Sequence, residues 1–195
     1  MRSESDYSIR DRFNEFLRLV ASDQVDEAEQ ILRECLAAGK DDANYISWSR
    51  LLTRSLSSLL LRKDDVGGAI EIFHVLIDQI EGSNSAENDL LIYEYHELAR
   101  LYIHSMKLAE AEEMLLRCLA NYKSSMNRNE LAIVGVVILL VEVACLKSDL
   151  DGAKKHILTI ENILREYRPE SFDLQTMKQR YIDKTRELSN LLTSK

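Results

Sequence analysis

Apolar residues recur at steps of three and four positions in two consecutive segments near the middle of the chain. The first stripe consists of Leu98, Ala99, Tyr102, Ile103 and Met106. The second consists of Leu108, Ala111, Leu115, Cys118 and Leu119. This spacing predicts two amphipathic helices, and the short stretch between them leaves room only for a tight turn, so the helices must fold back antiparallel. Two helices cannot cover both stripes, and the hairpin therefore requires neighbours.

The second helix of this hairpin recurs along the chain. A small residue opens each copy, at intervals of 41, 42 and 42 residues: Ala28, Ala69, Ala111 and Ala153. Four positions further along, each copy has a bulky apolar residue: Leu32, Phe73, Leu115 and Ile157. Seven positions along, the matching residues are Cys35, Leu76, Cys118 and Ile160. Matched columns at a nearly constant period predict a helical repeat array, in which each hairpin is covered by the next.

The sequence thus predicts an all-α fold: an α-solenoid of four antiparallel helix hairpins with a period of about 42 residues, followed by a C-terminal capping helix. No segment is long enough to be an interdomain linker, so one domain is predicted over residues 1–195. The four hairpins are predicted at about 8–38, 44–81, 88–122 and 129–167. The capping helix is predicted at 171–193, after the single proline, and it has no partner helix of its own.

Two glycine-containing segments lead to local expectations. Gly39 is expected to end a helix, since glycine adopts the left-handed conformation without a steric penalty. The polar residues 41–44 then supply capping groups for the next helix. The pair Gly67 and Gly68 is expected to permit close approach of the two helices of the second hairpin.

Composition and charge argue against several functional classes. The net charge of −8 argues against general affinity for nucleic acid or an anionic membrane. The longest apolar run, Leu131–Val141, is half a bilayer span and predicts a buried helix, and the N-terminus has no signal-peptide core. Three widely spaced cysteines exclude a disulfide framework and favour a reducing compartment, so a cytoplasmic location is expected.

No catalytic or metal-binding pattern is convincing. His96 and Glu97 begin an H-E-x-x-H pattern, but Arg100 stands where the second histidine must be, and arginine does not ligate zinc. Glycine-rich phosphate loops and the G-x-S-x-G nucleophile motif are absent from the sequence. We therefore predict a protein that is not an enzyme and that has no cofactor and no metal site. Trp48 is expected to belong to the core.

The third hairpin resembles the tetratricopeptide repeat (TPR). The resemblance rests on residues of both its helices: Tyr95, Leu98, Ala99, Tyr102, Ala111, Leu115 and Cys118. The period of about 42 residues resembles the variety found in kinesin light chains and many bacterial proteins. In the other hairpins the second helix matches and the first departs, because Leu19, Leu60 and Ala144 stand in the column of Tyr102. The resemblance covers roughly residues 8–167.

The resemblance implies that the first helix of each hairpin lines a concave groove that binds a peptide or helix of a partner protein. The family's groove positions, carried over to this chain, give these candidate partner-binding residues: Phe13, Arg54, Tyr93, His96, Arg100 and Glu142. Basic side chains outnumber carboxylates among the groove positions, which predicts an acidic partner segment. In the alternative interpretation, these basic residues simply pair with nearby acids such as Glu94 and Glu97.

We therefore predict a non-catalytic protein-binding module, an adaptor or scaffold that binds no nucleic acid and no membrane. A second interpretation is a structural or self-associating subunit, with homo-oligomers formed through the apolar helix Leu131–Leu146 or through the last helix. A third is a signal-peptide sensor or regulator, although such proteins usually carry an effector module and none is visible in this sequence.

Overall fold

The computed structural model describes residues 9–38, 45–82, 88–124 and 130–193, and these ranges contain helices and their connecting turns without any strand. In chain order the helices are α1 (Ile9–Ala21), α2 (Val25–Ala38), α3 (Tyr45–Arg62), α4 (Val66–Gly82), α5 (Asn88–His104), α6 (Leu108–Ser124), α7 (Glu130–Leu146), α8 (Leu150–Glu166) and α9 (Phe172–Thr193). The predicted all-α fold is confirmed. The caps expected at Gly39 and residues 41–44 lie outside the described residues.

The helices pair as the repeat pattern predicts. α1 packs against α2, α3 against α4, α5 against α6 and α7 against α8, while α9 packs against both α7 and α8. The chain divides into two compact units, Met1–Ser85 and Ala86–Lys195, called unit 1 and unit 2 below. Unit 1 contains the first two hairpins, and unit 2 contains the other two with α9. The single domain predicted from the sequence stays a prediction.

The four turns inside the hairpins share one backbone geometry. Each has a residue with positive φ just after the first helix: Asp23 (57°), Asp64 (60°), Met106 (58°) and Ser148 (61°). In the third turn, the N–H of Met106 donates to the carbonyl of Ile103 at 3.0 Å, and the N–H of Lys107 donates to the carbonyl of Tyr102 at 2.8 Å. This pair of bonds is a Schellman motif, and it recurs in the other three turns. Met106, assigned above to the apolar stripe, is instead an exposed turn residue.

Two second helices begin with an aspartate cap followed three residues later by glycine. The carboxylate of Asp65 accepts a hydrogen bond from the N–H of Gly68 at 2.8 Å, and that of Asp149 accepts from the N–H of Gly152 at 2.9 Å. A Cβ atom on Gly68 or Gly152 would collide with the capping carboxylate. The expectation that Gly67 and Gly68 permit close helix approach is therefore wrong, since the atoms near both glycines belong to Asp65.

The second-helix columns form the core, as the period predicts. The four column-opening alanines, Ala28, Ala69, Ala111 and Ala153, are all fully buried, and the residues four and seven positions after each of them are buried as well. Burial raises the pKa of the Cys118 thiol to about 12, so this cysteine is a packing residue and not a reactive one. Trp48 is half-buried, with its ring 6.2 Å from that of Phe13.

The apolar helix α7 is covered within unit 2. Its buried residues are Leu131, Val134, Val136, Val137, Leu140, Val141, Val143 and Ala144. A Cβ atom on Gly135 would lie 3.2 Å from the Tyr181 hydroxyl, so α9 approaches α7 closely at this glycine. On α9, the positions that match Tyr95, Ala99 and Tyr102 of α5 are polar and exposed: Gln179, Asp183 and Arg186. This helix therefore buries one side on unit 2 and exposes a polar side, as a capping helix does.

Ion pairs join successive hairpins at equivalent positions of each unit. In unit 1, Lys63 Nζ lies 2.8 Å from a carboxylate oxygen of Glu29, and in unit 2, Lys147 Nζ lies 2.6 Å from one of Glu112. Glu29 and Glu112 occupy the same column of the repeat, one position after the alanine. The lysines of both pairs are exposed to solvent, so the pairs orient the hairpins more than they stabilise them.

Candidate functional site

Helix α5 is buried on every side except one. From Leu91 onward, its side chains that are not buried are Tyr93, His96, Glu97, Arg100, Ile103 and His104. Their spacing of three and four residues places them in a single stripe along the helix. The three residues predicted on this helix to bind a partner, Tyr93, His96 and Arg100, all lie in this stripe. Tyr93 is 47% exposed.

The same columns are unburied on the other first helices of the array. On α7 they are Gly135, Ile138, Leu139, Glu142 and Leu146. On α3 they are Leu51, Arg54, Ser55, Ser58 and Arg62. On α1 they are Arg10, Phe13, Asn14, Leu17 and Ala21. We call these columns the first-helix face, and we describe it separately for unit 1 and for unit 2.

In unit 2, one carboxylate serves two of the predicted basic residues. His96 Nδ1 lies 3.4 Å from Glu97 Oε1, and Arg100 Nη1 lies 3.7 Å from the same oxygen. The pairing proposed above as the alternative interpretation is thus present for His96 and Arg100. Both contacts are long and partly exposed, so they hold the side chains only weakly. Glu94, the other acid considered, is fully buried.

Glu142 is exposed on α7 in the same column as Arg100. It stands 42 residues after Arg100, so the face of unit 2 carries charges of both signs in this column. Glu142 is thus the carboxylate among the groove positions, which the basic residues were predicted to outnumber.

In unit 1, the predicted residues have more packing contacts. The Phe13 ring lies 5.2 Å from the Phe16 ring and 6.2 Å from that of Trp48, so Phe13 belongs to an aromatic cluster. Arg54 is half-buried. Arg62, in the column of His104, forms an ion pair with Asp23 at 2.8 Å. The side chains at this face with the most solvent-exposed apolar surface are Leu17 and Leu51, 50% and 41% exposed.

Sequence reasoning overlooked α9 as part of this face. The α9 residues that stand 84 positions after the α5 columns are all unburied: Met177, Arg180, Tyr181, Lys184 and Leu188. The contact between Tyr181 and Gly135 places α9 beside α7. The constant period was the available signal, but α9 lacks the core residues of the repeat, and the sequence indicated only a cap or a self-association surface.

The described residues contain no cluster of three or more histidine, cysteine or carboxylate side chains that could hold a metal ion. Over the same ranges, none of the helices has the length and apolar content needed to cross a bilayer. Burial lowers the pKa of His156 on α8, and the carboxylates of Glu112 and Asp149 oppose this shift only in part. Nothing in this part of the chain resembles a catalytic constellation.

Solved structures with the same architecture are TPR-like repeat proteins. A Podosopora anserina protein described as a kinesin light chain with nearly identical TPR-like repeats matches with a TM-score of 0.65 and 18% identity, over 100% of this chain and 96% of that one. BtubC (BKLC) from P. vanneervenii matches with a TM-score of 0.64 and 15% identity, over 87% of this chain and 69% of that one. The predicted TPR-like solenoid fold is therefore confirmed. At this level of identity, the likeness establishes the fold alone.

No protein-family model matches the sequence, and a search of curated proteins found no match either.

Proposed function

We propose that the protein is a non-catalytic interaction module that binds a peptide or helix of a partner protein on its first-helix face. A TPR-like fold supports a role in protein–protein interaction or as a scaffold. The observation that carries the finer proposal is the stripe on α5. Every other side of that helix is buried, and the exposed stripe contains an aromatic residue, a histidine and an arginine.

The chemistry of this stripe suits recognition of another chain. Tyrosine and arginine are enriched among the residues that contribute most to binding energy, because each combines a large contact area with directional hydrogen bonds. Tyr93 and Arg100 project from a helix whose other sides are fixed in the core. Little backbone conformational entropy is therefore lost when a partner binds. The weak contacts of Arg100 with Glu97 leave its guanidinium able to exchange partners.

The proposal includes an adaptor or scaffold role in the cytoplasm. The three cysteines are free, and two of them are buried, which agrees with a reducing compartment.

Arg100→Glu is expected to abolish capture of the partner, because it replaces the exposed guanidinium of the stripe with a repulsive carboxylate. The partner is captured from a lysate of the cells that make the protein and quantified by mass spectrometry. Lys154→Glu is the matched control, since it makes the same change of charge on the exposed side of α8, a second helix. Circular dichroism of both variants should match the unchanged protein.

Capture that Arg100→Glu leaves intact, or that Lys154→Glu reduces equally, would contradict binding at the first-helix face.

A structural role through self-association is the second candidate. Leu146 on α7 and Leu191 on α9 are 44% and 56% exposed, so apolar surface remains on both helices named for oligomerisation. Analytical ultracentrifugation distinguishes the two candidates. A stable monomer is expected for the binding module, and a concentration-dependent dimer is expected for the self-associating scaffold.

A further inference from the structure

Helix α9 continues the first-helix face of unit 2. Met177, Arg180 and Lys184 stand 84 residues after Tyr93, His96 and Arg100, and all three are exposed. α9 lies beside α7, where the Tyr181 hydroxyl approaches Gly135. The flank of α9 beside this stripe is buried, including Thr185 and Leu192. The exposed stripe is therefore held on a packed helix and not on a loose terminus.

Arg180 differs from three other arginines of unit 2, each of which has a carboxylate partner. Arg100 lies near Glu97, Arg117 contacts Glu113, and Arg186 contacts Asp183. Within the described ranges, Arg180 has no hydrogen bond or ion pair, and its guanidinium is exposed to solvent. Lys184 Nζ lies 3.1 Å from a carboxylate oxygen of Glu187 on the same helix, and both side chains are about half exposed.

We propose that the α9 stripe binds a segment of a partner protein that carries a carboxylate next to an apolar side chain. The carboxylate pairs with Arg180 and Lys184, and the apolar side chain packs on Met177, one helical turn away. This inference rests on the proposed function and specifies which helix recognises the acidic part of the partner. Arg180 is preferred over Arg100 for this pairing, because Arg100 lies 3.7 Å from Glu97 whereas Arg180 has no ion pair within the described ranges.

The residue types fit this partner. The planar guanidinium of arginine binds a carboxylate through two parallel hydrogen bonds, and an exposed arginine without an internal partner loses no existing contact on binding. Methionine is unbranched and polarizable, so it adapts to apolar side chains of different shape. Met177 is 42% exposed.

The charge pattern disfavours two other occupants of the stripe. Parallel pairing with α9 of a second copy would place Arg180 and Lys184 against their own equivalents, which is repulsive. Nucleic acid is disfavoured because Glu187 pairs with Lys184 of the stripe and the chain has a net charge of −8.

The test uses methionine methyl groups as probes in the 195-residue chain. The chain has five methionines, and Met106, 61% exposed in the turn between α5 and α6, is an internal reference for Met177. The ligand is a synthetic amphipathic peptide of about 15 residues, the length at which an isolated helix becomes stable, with leucine and glutamate along one face. A second peptide has lysine in place of every glutamate.

The acidic peptide is expected to shift the Met177 methyl resonance and not that of Met106, and the lysine peptide is expected to shift neither. The double variant Arg180→Glu, Lys184→Glu should lower the affinity for the acidic peptide about tenfold. The double variant Lys154→Glu, Lys155→Glu, with the same change of charge on α8, should leave its affinity unchanged. Added salt should weaken binding of the acidic peptide, because salt screens the attraction between exposed charges.

An unshifted Met177, equal shifts with both peptides, or equal effects of the two double variants would overturn the inference. A Met177 resonance that moves with protein concentration alone would assign the stripe to a second copy and would also overturn it. These outcomes leave the proposed function standing, because that proposal is scored separately by capture of the native partner with Arg100→Glu.

Discussion

Leu115→Ala is expected to lower the free energy of unfolding by about 3 kcal/mol, because it removes buried methyl groups and leaves a cavity. Leu115 is 0% exposed and stands in the column four positions after Ala111, which is also 0% exposed. The alanine in the preceding turn fixes the distance to α5, so the surrounding helices have little freedom to collapse into the space. Urea denaturation monitored by circular dichroism measures the change.

The adjacent leucine is a matched control. Leu116 is 52% exposed, one position outside the repeat column. Leu116→Ala removes the same atoms from the same helix, and we expect a change within about 0.5 kcal/mol. Equal losses for the two variants would show that the column of Leu115 is not the core of the third hairpin.

Gly135→Leu is expected to lower the free energy of unfolding by about 2 kcal/mol and to loosen α9. The closest atom to a Cβ at this position is the Tyr181 hydroxyl, at 3.2 Å. A leucine side chain needs the volume that Tyr181 occupies, so α9 must move away from α7. Hydrogen–deuterium exchange should become faster in residues 172–193 and remain unchanged in α6, while urea denaturation reports the loss of stability.

Two further variants make the second prediction specific to the contact with α9. Glu142→Leu introduces the same side chain at an exposed position of α7, and we expect a change within about 0.5 kcal/mol. Gly135→Ala should change the free energy of unfolding more favourably in a Tyr181→Phe background than in the unchanged protein. The hydroxyl at the point of contact is absent from that background. Additive effects of Gly135→Ala and Tyr181→Phe would contradict the described approach of the two helices.

The second helices were predictable because their core positions carry the same kinds of residue in every copy. A small residue followed by apolar residues four and seven positions later recurs in every copy, and each such residue proves to be buried. The period also located the turns. Because the residue with positive φ recurs at the same intervals as the alanines, the helices begin and end close to the predicted positions.

The hydrophobic pattern did not predict the helix caps or the turn residue of the third hairpin. The pair Gly67 and Gly68 looked like a site of close helix approach, but the Cβ position of Gly68 is taken by the carboxylate of Asp65. The signal in the sequence was an aspartate three residues before a glycine, the spacing of a helix cap. Met106 followed the apolar stripe of α5 in sequence, yet the helix ends before it, and a turn with positive φ exposes its side chain.

The candidate site was predictable in outline and not in its charges. The columns of Tyr93, His96 and Arg100 follow from the repeat, because whatever is not core on a buried helix must face outward. The contacts of Glu97 depend on rotamers, which no spacing rule gives. The contribution of α9 was missed because its polar residues at core columns hid the fact that its outward columns continue the same face.

The proposed function assigns stability and recognition to different columns of the repeat. Columns such as those of Ala111 and Leu115 hold each hairpin together, and the columns of Tyr93 and Arg100 are left without a role in the core. Substitutions at Tyr93 and Arg100 should therefore alter partner binding while costing little stability, in contrast to substitutions at Gly135, which packs against α9.

Photo-crosslinking at two matched positions tests the central proposal most directly. The crosslinking amino acid p-benzoylphenylalanine replaces either Tyr93 on the first helix or Leu116 on the second helix of the same hairpin, residues that are 47% and 52% exposed. In cells that make the protein, irradiation is expected to join a partner protein to the variant at position 93 and not to the variant at position 116. A partner joined equally at both positions, or joined only at position 116, would contradict recognition through the first-helix face.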